Sequence, residues 1–357
     1  MPKPDSSNED WDCELWQANG EAYIMKAFLE RKDINISFRR YCVEAMGAMT
    51  LGLFSSLIIG LILSEIGGLA GVEILERMGG WARGATGYAI GVAVAFGLKA
   101  PPLVVFAAAA VGFAGNLLGG PAGAFIAACI GTELGKVVSK ETKVDIIVTP
   151  VVTLLAGFGA ALLTGPPIQA LMNAIGGFVM WSADLMPVLM GGLIAVVMGM
   201  TLTSPISSAA IAIALELEGV AAGAALAGCA ANMVGFAAAS YRENKVSGLV
   251  SQGLGTSMLQ LPNIMKNPRI WIPAILASAA CGVVSAAVFG MENVPEGAGM
   301  GTSGLVGQFG ALTAMGYYPV VFLQIGLVHF LMPALISLAA SEYMRKKGWI
   351  KFGDMKL

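Results

Sequence analysis

Residues 292–307 read Glu-Asn-Val-Pro-Glu-Gly-Ala-Gly-Met-Gly-Thr-Ser-Gly-Leu-Val-Gly, a polar run between two strongly apolar segments, 270–290 and 318–340. Glu296 can accept hydrogen bonds from hydroxyls. Asn293, Thr302 and Ser303 can donate or accept them. A second polar run, Thr-Leu-Thr-Ser-Pro-Ile-Ser-Ser-Ala-Ala at 201–210, adds Thr201, Thr203, Ser204, Ser207 and Ser208. Neither run holds a lysine or arginine. A set of carboxylate, amide and hydroxyls without a cation suits a neutral sugar or polyol better than an anion. Each hydroxyl also has a purely structural use, since Ser and Thr in apolar helices bond their own backbone or a neighbouring helix. His329, Asn116 and Asn232 read the same way, as partners between helices.

The elements that must position these groups are helical and apolar. The 357 residues are 56% hydrophobic and 12% charged, with mean hydropathy +0.75. Soluble domains carry about 25% charged residues. The expected fold is therefore an all-α polytopic membrane protein. Net charge is −2, which leaves no electrostatic footprint for nucleic acid. A single histidine excludes a multi-histidine metal site, and no cofactor is expected. The five cysteines show no paired spacing, and those in apolar segments read as small buried hydrophobes. The first 40 residues are too polar for a cleavable signal peptide.

The run at 292–307 cannot be a lipid-facing helix. Each of its five glycines costs about 1 kcal/mol of helix propensity, and hydrocarbon satisfies no bare backbone group. Either it is a loop in water or it re-enters the membrane and lines a cavity. Residues 304–316 are too apolar for a solvated loop and too short to span, which favours re-entry. The run at 201–218, broken by Pro205, reads as a discontinuous crossing that ends in a half-helix.

Along the chain, 1–41 reads as an acidic tail followed by an amphipathic surface helix. Residues 42–341 form the membrane domain, and 342–357 form a short tail. Full spans are expected near 46–64, 84–98, 103–118, 122–135, 146–164, 186–200, 220–240, 270–290 and 318–340. Loops are expected around Glu73–Arg83 and over 241–269. Gly165-Pro166-Pro167 should end a span, and 168–183 should lie in the interface. Lysines and arginines cluster at both termini, at 136–143 and at 241–269, so these should be cytoplasmic. Counting 201–218 as a crossing gives ten. Gly253-Leu-Gly-Thr-Ser looks like a phosphate cradle, yet it lacks the lysine and strand–helix setting of a P-loop.

Several of these features resemble a known family. Residues 144–218 resemble the core of the fructose-type IIC membrane subunit of the bacterial phosphotransferase sugar-transport system. Gly165-Pro166-Pro167-Ile168 matches that family's span ending. Thr203-Ser-Pro-Ile-Ser-Ser-Ala209 stands where the family has Gly-Gly-Pro-x-Asn-Lys-Ala. Asn293-Val-Pro-Glu-Gly297 keeps the Glu-Gly of the family's second hairpin, and this adds Gly297 to the candidate residues. A nearly full-length likeness, carried by Arg39–Ile59, 253–260 and 297–307, is to a IIC-like subgroup that includes the perfringolysin regulator PfoR. The resemblance implies a bacterial cytoplasmic-membrane protein and a homodimer. It also implies a sugar substrate and separate IIA and IIB phosphoryl carriers, because nothing in the chain resembles a phosphoacceptor domain. Small residues at Gly84, Gly87, Gly91, Gly112 and Gly115 offer faces for close helix contact, between subunits or within one. Besides a phosphotransferase permease, a facilitator without phosphotransfer or a membrane-embedded sensor fits the same residues.

Overall fold

The computed structural model describes residues 27–357. The tail expected over 1–20, and the start of the amphipathic segment after it, lie outside them. Every named element among the described residues is helical. Six helices are long and apolar enough to cross a membrane: α1 (Arg40–Gly68), α4 (Pro102–Val138), α5 (Asp145–Ala183), α8 (Gly219–Ala239), α11 (Pro268–Phe289) and α14 (Pro319–Lys346). Two apolar helices are shorter, α3 (Thr86–Gly97) and α6 (Pro187–Thr203). Shorter elements include α2 (Glu73–Gly84), α7 (Ser208–Ala214), α9 (Tyr241–Val250), α10 (Leu261–Lys266), α12 (Pro295–Ala298) and α13 (Val306–Met315), with single turns at Ser251–Gly255, Ser257–Gln260 and Ser303–Leu305.

α4 folds back on itself where Gly119 leaves helical geometry and Gly120 turns left-handed, at φ 59°, just before Pro121. Gly115 and Gly123 then face each other across the turn, so the two spans expected at 103–118 and 122–135 form one helical hairpin. Three expectations need correction. The segment around Glu73–Arg83 is a helix, α2, with Glu73 and Glu76 in its first turn and Arg83 in its last, charges that complement its dipole. Pro166 and Pro167 do not end a span, and 168–183 is not a separate interfacial segment. α5 continues through both prolines to Ala183. Proline holds a helical φ, though each one removes an amide and crowds the carbonyl four residues back, and α5 tolerates both. At 1.5 Å per residue α5 is about 58 Å long, more than the ~45 Å of a whole bilayer. The third correction is 241–269, which is a chain of short helices with buried side chains rather than a solvated loop.

The organising element is α8. Nearly all of it is buried, and its alanines and glycines let neighbouring backbones come close. A Cβ on Gly228 would lie 1.9 Å from the Ala195 carbonyl oxygen, and one on Gly223 would lie 1.8 Å from that of Met291. Ala195 lies beside Gly228 and Thr203 beside Asn232, so α6 and α8 run in the same direction. Residues 204–218 must therefore carry the chain back along α8 before it begins. The glycines singled out for helix contact are largely occupied within the chain. A Cβ on Gly91 would meet the Ala108 carbonyl oxygen at 2.0 Å, and one on Gly112 would meet that of Gly87 at 2.3 Å.

This packing predicts a contrast between two glycines. Gly228→Ala drives a methyl into backbone and should destabilise the protein by about 1–3 kcal/mol. Gly177→Ala, in α5 with open space around it, should be neutral or stabilise by up to about 1 kcal/mol. Thermal unfolding of both variants in detergent checks this.

Candidate functional site

The polar run at 292–307 forms a hairpin laid along α8. It starts where Asn293 and Gly219 exchange backbone hydrogen bonds, each 3.1 Å long. Its tip reaches Cys229 and Met233, which a Cβ on Gly301 would touch. From Gly219 to Met233 is about 21 Å along a helix axis. The chain then returns through α13. Gly307 packs against Leu226, and Gly310 packs against Asn293 and Gly297. Met315 Sδ ends 3.2 Å from the Glu292 amide, so entry and exit lie side by side. The tip is built from left-handed backbone at Gly301, Gly304 and Leu305, with φ of 58°, 55° and 62°. Leu305 is the unusual member, since non-glycine residues seldom adopt this region.

The run at 201–218 forms the second hairpin. α6 ends at Thr203, Ser207 caps α7 by accepting from the Ala210 amide at 3.2 Å, and α7 leads back to α8. The two hairpins touch: Ser208 Oγ–H donates to the Gly299 carbonyl oxygen at 2.7 Å. A third wall comes from 251–260. Thr302 Oγ–H donates to the Gly253 carbonyl, and Ser257 shares a 2.8 Å hydrogen bond with Thr203.

Between these walls lies a cavity of about 80 Å³. Ser207, Ser208 and Ser303 face it from the hairpins, Thr256 from the third wall, and Leu57 and Leu61 from α1. Its volume is far below the ~300 Å³ at which ligand pockets begin. The hairpins are therefore closed on each other in this conformation.

The candidate residues divide by what they already bond. Asn293, 1% exposed, clamps the two arms of its own hairpin. Its Nδ2 donates to the Gly307 carbonyl at 3.2 Å, and its Oδ1 accepts from the Val294 amide at 2.8 Å. Ser204 donates to the Thr201 carbonyl at 2.7 Å. Thr302 and Ser208 tie walls together. Ser303 differs, because its hydroxyl is buried and has no hydrogen-bond partner among the described residues. Gly297 is buried in α12, pressed against Asn293. Glu296 is exposed on α12, away from the cavity and near the mouth of its hairpin. The structure thus brings Ser207, Ser208 and Ser303 together and leaves Glu296 apart from them. His329 is fully buried, and neither ring nitrogen has a partner among the described residues, so it does not link helices there as expected.

The third wall was missed because Gly253-Leu-Gly-Thr-Ser was weighed against a phosphate cradle. Its signal was its likeness to 299–304: glycines and hydroxyls in an apolar setting. The leucines of α1 carry no such signal.

Long apolar helices with polar residues gathered in two broken segments around one buried helix define a polytopic integral membrane protein. A family model for the phosphotransferase system EIIC component matches residues 43–357. The chain belongs to that family, as the membrane component of a phosphotransferase sugar transporter. No curated protein and no solved structure matches it.

The site's geometry hangs on Asn232, in the middle of α8. Its Oδ1 accepts from Trp271 Nε1 at 3.0 Å and Thr203 Oγ1 at 3.1 Å, and its Nδ2 donates to Ser278 Oγ at 2.8 Å. Asn232→Ala leaves the half-buried indole N–H of Trp271 and the buried Thr203 and Ser278 hydroxyls without this partner. That should cost about 1–3 kcal/mol and speed hydrogen exchange in 251–260, read by mass spectrometry.

Proposed function

We propose that this chain is the permease subunit that binds and translocates a neutral sugar or polyol, with phosphate supplied by separate IIA and IIB carriers. The observation that supports this reading best is the meeting of two glycine- and hydroxyl-rich hairpins across a cavity that holds an unpartnered hydroxyl, Ser303. Broken helices meeting beside a central helix are a recurring way to build a solute site in transporters. No lysine or arginine among the described residues borders this cavity, which favours an uncharged solute. We place Glu296 at the entrance, where it takes hydroxyls of the incoming solute, and Ser207, Ser208 and Ser303 at the inner end. Asn293, Gly297, Thr302 and Ser204 hold the hairpins in shape. Opening means separating the two tips, whose direct tie is the Ser208–Gly299 hydrogen bond.

The proposed setting is a bacterial cytoplasmic membrane with ten crossings and both termini inside. In it, 201–218 is a discontinuous crossing and 291–317 is re-entrant. The fructose-type likeness stands on Gly165-Pro166-Pro167-Ile168 and Glu296-Gly297. A homodimer rests on the family resemblance, and cross-linking in native membranes tests it. The second reading is a sensor that binds the solute without flux. It is favoured by the likeness of 297–307 to the subgroup that includes PfoR. Purified protein in liposomes separates the readings: a permease moves the bound solute, with or without added carriers, and a sensor binds it and moves none.

Two outcomes are expected. With a solute identified by a binding screen, Glu296→Gln should weaken affinity by roughly 10- to 150-fold, the equivalent of about 1.5–3 kcal/mol for a hydrogen bond to a charged group. Glu292→Gln should change it little. Unaltered affinity in Glu296→Gln removes this carboxylate from the solute's path. For orientation, Ser247→Cys, exposed on α9, in a chain with its native cysteines replaced, should resist impermeant thiol reagents added to intact cells. Labelling from outside would reverse the topology.

A further inference from the structure

Three helical segments end at one place, far in sequence from the hairpins. The short helix at 27–31 ends at Asp33, α3 ends at Lys99, and the second arm of α4 ends at Lys140. All three end residues are left-handed, with φ of 52°, 56° and 62°. Such a position just past a helix is normally filled by glycine. Here it is filled three times by charged residues, at a conformational cost of about 1 kcal/mol or more each.

The three ends surround a cavity of about 350 Å³, within the size range of ligand pockets. Five cations line it: Arg31, Lys32, Lys99, Lys136 and Lys140. Two carboxylates accompany them, Asp33 and Glu141. Both carboxylates are already paired, Asp33 with Arg40 from outside the lining and Glu141 with Arg31 and Lys32 of the lining itself. Arg40 Nη2 lies 3.1 Å from Asp33 Oδ2, and Arg31 Nη2 lies 2.8 Å from Glu141. The hydrogen bond from Arg40 holds the Asp33 carboxyl below its usual range.

One use of cations at helix ends is to satisfy the free carbonyls. That use is already taken by others. Lys136 donates to the Leu98 carbonyl at 3.1 Å and to the Asp33 carbonyl at 2.6 Å, and it pairs with Glu133 at 3.1 Å. Arg40 donates to the same two carbonyls, and Lys32 donates to the carbonyl of Ser139. Lys99 and Lys140 remain. Both are exposed, and neither ammonium has a hydrogen bond or ion pair among the described residues.

We propose that this cavity is an anion site for a phosphate group, gripped by Lys99 and Lys140 over a floor made by Lys136. The phosphate can belong to an anionic lipid headgroup or to a free phosphate. Basic pockets at the ends of membrane helices suit headgroups, and the cavity's position at the helix ends is compatible with either source. The strained backbone is explained by what it aims. Glycine would relax both turns but would remove the two unpaired ammoniums.

The full chain in detergent micelles is titrated with phosphatidylglycerol, with phosphatidylcholine or with inorganic phosphate. Thermal stability and native mass spectrometry are the readouts. The variants are Lys99→Gly/Lys140→Gly, which suits the left-handed backbone and so keeps the fold, and Lys143→Gly, outside the cavity, as control. Wild type and Lys143→Gly should be stabilised and retain the ligand. The double variant should bind it roughly 25-fold more weakly, from about fivefold for each lysine removed. A response to phosphatidylglycerol alone assigns a lipid headgroup, and a response to inorganic phosphate assigns the bare anion. Equal responses in wild type and the double variant, no response in wild type, or a response matched by phosphatidylcholine overturns the proposal.

Discussion

Backbone that leaves helical geometry in an apolar protein must find its hydrogen bonds inside the protein, because hydrocarbon offers none. α8 meets that need. Its first residue pairs with Asn293 to anchor one hairpin, and Asn232 bonds Thr203 where the other begins. Its small side chains let Met291, Ala195 and Gly301 lie against its backbone. Larger residues on α8 would push both hairpins outward and expose their peptide groups. The near-total burial of this one helix is the condition for two polar hairpins within so apolar a chain.

The same condition shapes the site. Most hydroxyls in the hairpins are committed to carbonyls or to one another, which keeps the broken backbone rigid. In the proposed reading, the solute meets Glu296 at the entrance and Ser207, Ser208 and Ser303 at the inner end, where Ser303 is the hydroxyl left uncommitted among the described residues. A small cavity closed by the Ser208–Gly299 contact suits a carrier, which must part its walls to admit a solute and close them again. The tips are the natural place for that motion. Among the described residues they are joined by one side-chain hydrogen bond, while their bases are tied by the backbone pair of Asn293 and Gly219.

Much of the fold was legible because helix spans announce themselves by apolar length. The turn at Gly119-Gly120-Pro121 could be read directly from its residues, and so could the two polar runs, since their composition is incompatible with lipid. Pro166 and Pro167 misled, because proline weakens a helix without always ending it. The 241–269 segment misled for another reason. Its charges are scattered, and charge frequency alone hides the burial of Gln252, Gly253 and the run 255–258. The candidate site was legible as residue types but not as roles. Which hydroxyl is spent on a carbonyl and which stays free depends on neighbours distant in sequence. Thr302 meets Gly253 and Ser208 meets Gly299, pairs that no local pattern reveals. Glu296 stood out for its charge, and its place at the mouth follows from the geometry of α12.

The central claim is that the space between the hairpin tips is where the sugar sits. The most direct measurement is the rate at which a small thiol reagent modifies Ser303→Cys, in a chain with its native cysteines replaced and still active in uptake. The account predicts that modification is slowed by the transported sugar in proportion to its occupancy, that an untransported sugar has no effect, and that the modified protein no longer carries the solute. Modification at the same rate with and without a sugar that is being transported, or full transport after complete modification, would place the solute elsewhere and contradict it.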